Sequence, residues 1–134
     1  MTMQYSVTVR NNQLDQVEVT AGVSARLQLR SGVPPANCAA ADTGVLLAEL
    51  LLPADYMSNA AAGSKAKLGV WSGAGVAAGV VGHFRLKDTT AATTHIQGTV
   101  TATGGGGDMT LDNTNIAVNQ TVTVNSFTIN AGNA

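Results

Sequence analysis

The chain has 134 residues, a formal net charge of −1, 45% apolar, 4% aromatic and 11% charged residues, and one cysteine. That length fits a single domain with its own hydrophobic core, and the charge balance offers no electrostatic footprint for nucleic acid and no polybasic run for a membrane. Charged residues fall well below the average of about 25%. A small surface so poor in charge is weakly protected against association, which makes a surface built to be covered by neighbours a reasonable expectation.

Met3, Tyr5, Val7 and Val9 alternate with Gln4, Ser6, Thr8 and Arg10, which predicts an extended arm or first strand. Ahead of it, Met1 to Tyr5 lacks a basic stretch followed by an apolar one, so no signal peptide is expected. Leu14 and Val17 are three apart behind Asn11 and Asn12, a spacing that predicts a short helix of two or three turns with an Asn cap. Residues 1–24 therefore read as an arm with a possible short helix, and 25–134 as a β-sandwich domain. Arg26 to Arg30 reads as a strand with Leu27 and Leu29 inward. Gly32-Val33-Pro34-Pro35 begins a loop, since two prolines exclude both helix and ladder.

Val45 to Leu52 reads as a strand buried on both faces or a short buried helix, with its length and the Gly and Pro at its ends favouring the strand, and Pro53 ends it. Ala54 to Lys67 is small and polar and predicts a loop, Leu68 to Trp71 a short strand, and Ser72 to Gly79 another connection. In Val80 to Asp88, Phe84 and Leu86 are expected to face in, with His83, Arg85 and Lys87 facing out. His95 to Thr103 alternates as a half-buried strand, Gly104 to Gly107 break it, and Met109 to Leu111 resume. The final run changes phase, with Val122 and Val124 even but Phe127 and Ile129 odd. A strand cannot keep one face inward through that change without an extra residue, so a bulge or change of sheet is predicted at Asn125-Ser126. The pattern as a whole predicts a mainly all-β, antiparallel β-sandwich or jelly-roll-like domain with at most one short helix near the N-terminus.

No motif for chemistry stands out. The tetraglycine is followed by Asp108 and a strand instead of the helix N-terminus that a phosphate cradle needs. His83, His95 and Asp88 fall short of a zinc set, Asp108, Asp112 and Asn113 lack calcium-loop spacing, and Cys38 has no activating partner in sequence. No cofactor, metal or small-molecule substrate is expected. Trp71 reads as core, although a carbohydrate platform would also use a Trp. A hydrolase would need Asp108, Asp112 or His95 to converge in a cleft.

Three groups of residues carry a resemblance: Arg30 to Asp42; Gly82-His83-Phe84-Arg85 with Thr94 to Val100; and Gly105 to Asn113 with Ser126 to Ala134. Together they resemble small structural proteins of tailed bacteriophages. The resemblance implies a non-enzymatic virion component, with a capsid-decorating or cement protein preferred. It would be assembled in the host cytoplasm and sit on the outer surface of the capsid. Its partners would be the major capsid protein and copies of itself. Met3, Tyr5, Val7 and Val9 would bind by adding a strand to a neighbour's sheet edge. A tail or neck component, or a carbohydrate- or receptor-binding module, are the alternatives.

Overall fold

A computed structural model describes residues 3–132. Residues 133 and 134, which end the stretch Ser126 to Ala134, and residues 1 and 2 lie outside the described residues. The elements run α1 (Val7–Ala21), β1 (Arg26–Ser31), β2 (Leu46–Leu51), β3 (Ser64–Ala66), β4 (Ser72–Ala74), β5 (Gly79–Lys87), β6 (Thr94–Ala102), β7 (Met109–Leu111), β8 (Asn115–Ile116) and β9 (Thr121–Asn130). Strands account for 42% of the described residues and helix for 12%, so the single mostly-β domain expected from the pattern is what forms.

The strands make one mixed sheet in the order β2-β1-β5-β6-β7-β9-β3, with β4 also on β9 and β8 also on β5. The sheet curls into a half-barrel, and a bridge between Ala48 and Gly75 ties β2 to the end of β4. The concave face holds the core, with Leu27 and Leu29 from β1, Phe84 and Leu86 from β5 and Val122 and Val124 from β9. Trp71 is fully buried there, its indole N–H donating to the Tyr56 and Leu68 carbonyls. Its ring stands 5.7 Å from Phe127, which meets Phe84 edge-on at 5.3 Å, the separations aromatic pairs prefer. Leu68 to Trp71, expected as a strand, is irregular, and the short strand follows at Ser72.

The phase change in the last strand is a bulge, as the alternation predicts. Thr110 pairs with Ser126 and Leu111 with Val124, so Asn125 is the extra residue. Its amide donates to the Asp112 carboxylate, which fixes the bulge from outside the ladder.

Other expectations fail for local reasons, and the predicted loop Ala54 to Lys67 holds the short strand β3. The alternation Met3 to Val9 does not make a strand through Val9, because Ser6 caps a helix that begins at Val7. Ser6 is extended at φ −63° and ψ 159°, and its hydroxyl accepts from the Val9 N–H. The helix is thus fifteen residues long and Ser-capped, where a shorter Asn-capped one is predicted. The sheet is also not wholly antiparallel, since β7 runs parallel to β6. Parallel neighbours normally need a crossover of a dozen or more residues. Here only Thr103 to Asp108 intervene, and the glycines make the return possible. Gly104 and Gly106 take φ of +87° and +79°, while a Cβ on Gly107 would stand 2.9 Å from the Thr101 backbone nitrogen. The Gly107 N–H donates to the Thr101 hydroxyl and the Asp108 carboxylate accepts from Thr99, so the loop folds flat against β6.

Candidate functional site

His83, Arg85 and Lys87 do point away from the core, but they are not solvated. All three are buried, because the loop after β1 folds back over this face of β5. Register places Gln28, Arg85 and Gln97 side by side on β1, β5 and β6, with Arg30 beside His83 in the next row. The loop is strapped down from beneath. The Arg85 guanidinium donates to the carbonyls of Asn37, Cys38 and Ala40 and, at 2.6 Å, to Asp42 Oδ1. Lys87 and Arg30 donate to the other Asp42 oxygen at 2.6 and 3.1 Å, and Gln97 holds the Pro35 carbonyl at 2.7 Å. Burial alone would raise the Asp42 pKa. The bonds from Lys87 and Arg85 and the charge of Arg30 outweigh that and hold it below its ordinary 3.8.

A second polar centre fastens the helix. Asn11, Asp15 and Glu18 form one row along α1, and their side-chain oxygens accept from the backbone N–H groups of Gly63, Ala60 and Met57. Lys65, 2% exposed, reaches Asp15 at 2.8 Å and Glu18 at 2.7 Å. The Lys65 bond is the main reason the Asp15 pKa lies below 3.8, and burial of the Tyr56 phenol beside Glu18 lifts it to about 12. Only Leu14 and Ala21 of the helix are buried, so directional polar bonds carry much of its docking.

The residues weighed for chemistry are kept apart. The His83 Nδ1–H donates to the Gly32 carbonyl at 2.9 Å, and His83 pairs across the sheet with Thr99, four residues along β6 from His95. His95 instead borders α1 at Gln13 and Gln16. Asp108 is bound to Thr99, Asp112 to Asn125, and Asn113 accepts from the Asn115 N–H as a turn residue. Among the described residues no three His, Cys, Asp or Glu side chains group closely enough to hold a metal ion. Trp71 lies in the core, so it offers no sugar platform. Cys38 is half-buried in the strap, where its carbonyl, and not its thiol, meets Arg85.

No family model, curated protein or solved structure matches this chain.

The covering loop and the strands beneath it are contiguous. Arg30 to Asp42 lies over Gly82 to Arg85 and Thr94 to Val100, and Gly105 to Asn113 supplies the strand that pairs with the last one. Met3, Tyr5, Val7 and Val9 are all exposed, by 71, 43, 45 and 41%. They sit on a helix and its lead-in, so strand addition by the whole segment would require Val7 and Val9 to leave the helix. Sequence reasoning missed the Arg85 strap and the Lys65 latch. The charges in the strap were visible, but Arg85 and Lys87 lie more than forty residues from Asp42.

Proposed function

We propose that the protein is a non-enzymatic virion component, a capsid decoration or cement protein that binds neighbouring major capsid subunits and copies of itself. The observation that carries this reading is the amount of large apolar surface left uncovered. Fourteen such residues among those described are exposed, including Val33 at 81%, Val19 at 71% and Val70 at 70%. Single exposed apolar residues are ordinary, but this density on a chain so poor in charge suits a surface that neighbours bury. The fold leaves these residues out of a core that is complete without them. Many copies on a symmetric shell turn weak single contacts into firm attachment. The phage resemblance agrees with this reading.

The test is electron microscopy of the particle carrying the protein, together with rebinding of purified protein to shells that lack it. Density at capsomer junctions, and loss of rebinding on Val7→Asp with Val9→Asp, are expected. Density confined to the tail or neck overturns the decoration reading in favour of the tail component, and glycan affinity without particle binding overturns both.

A further inference from the structure

The sheet has a gap one strand long. β6 has nine residues and β9 ten, but β7, which joins them, has three. It covers only Val100 to Ala102 on one side and Val124 to Phe127 on the other. Beyond its first residue, β6 and β9 continue with no strand between them among the described residues, leaving a cleft of about 330 Å³.

Backbone groups alternate sides along a strand, so the bonds made elsewhere fix which ones face the gap. The Thr99 N–H points into it, because Asp108 accepts from it, and Gln97 therefore points the same way. On β9 the Phe127 carbonyl and the Ala131 N–H are taken on the β3 side by Lys67 and Gly63. The peptide groups of Thr128 and Asn130 therefore face the gap. Two edges with no ladder partner among the described residues confront each other across a slot whose end is already occupied, at Asp108, by a carboxylate standing where a strand carbonyl would be.

We propose that this slot accepts an extended segment of another protein chain as an added strand in line with β7, parallel to β6 and antiparallel to β9. Two-sided backbone pairing supplies the affinity. The lining sets the sequence: Phe84, Ile96, Phe127 and Ile129 form an apolar floor, so the inward side chain is apolar, and Gln97 and Thr128 on the rim match polar neighbours. Strand acceptance by the body does not depend on the decoration reading, since it holds whichever particle or partner the protein serves.

The experiment uses the full-length, isotope-labelled protein and two probe peptides, acetyl-Thr-Val-Thr-Val-Thr-amide and the same peptide with Pro at its centre, which cannot complete the ladder. Millimolar first peptide is expected to slow exchange of the Gln97, Thr128 and Asn130 amides by about tenfold or more, with saturating shifts, and the Pro peptide to do neither. Asn130→Pro, which removes a slot-facing N–H while leaving the β3 side intact, is expected to abolish the effect. Should that variant not fold, the peptide pair decides alone. No protection at those amides, equal protection by the Pro peptide, or protection confined to the β2 edge overturns the proposal.

Discussion

Replacing Arg85 by Met tests whether one buried guanidinium holds the loop over β5. Met keeps most of the aliphatic stem but removes every bond to Asn37, Cys38, Ala40 and Asp42. Removing one partner of a buried ion pair costs about 3–5 kcal/mol. Asp42 keeps Arg30 and Lys87 and its side chain is 30% exposed, and the released carbonyls can reach water. The lower end, about 3 kcal/mol, is therefore the expected loss. For a chain of this size that corresponds to a fall of roughly 10 °C in Tm, read by circular dichroism. Hydrogen exchange of the Ala39 and Ala40 amides, now held by Asn37 Oδ1, should quicken in the same variant. Arg85→Lys should recover little, because a point charge cannot span four acceptors set around a planar fork. A Met variant within about 2 °C of the parent, with the loop amides still protected, refutes the reasoning.

Lys65→Met should free α1 while the barrel stays folded, seen as faster exchange at Ala60 and Gly63 with unchanged protection in β5. Asp15 and Asp42 both have folded pKa values below 3.8, so the stability they confer is complete above that value and lost as pH falls through the lowered ones. Tm should accordingly hold level from neutral pH down to about 5 and fall below about 4, and a level profile to pH 2 would contradict the two centres. In alkali the Tyr56 phenolate absorbance should rise only near pH 12. Its neutral form is favoured by folding, so that share of stability is present below 10 and lost as pH climbs toward 12. Gly107→Ala, which pushes a methyl into the Thr101 backbone, should lower stability by about 1–3 kcal/mol in denaturant titrations. Equal stability would show that the flat return over β6 is wrongly described.

What could be read from the residues was what a period of two controls. Phe127 and Ile129 falling out of phase with Val124 forced a bulge, and it sits at Asn125. The inward set Phe84 and Leu86 was legible for the same reason. The same rule misread Val7 and Val9, whose alternation is real but loses to a Ser6 cap and to docking bonds made with residues 57–65. It read the outward direction of His83, Arg85 and Lys87 correctly and their solvation wrongly, because the covering loop comes from another part of the chain. The parallel β7 was hidden by its own connection, too short for an ordinary crossover and possible only through four glycines. The slot beside it depends on strand lengths and edges, which composition does not encode.

The manner in which α1 is fastened limits how the protein can vary. A greasy seam tolerates slippage, since one aliphatic contact can be traded for another. Three acceptors on a helix, set against three amides spaced at 57, 60 and 63, behave instead as a key. Inserting or deleting one residue ahead of Ser6 leaves that key untouched, whereas one placed between Asn11 and Glu18 turns part of it by about 100° and unlocks the rest. Length changes should therefore be admitted before the helix and refused within it.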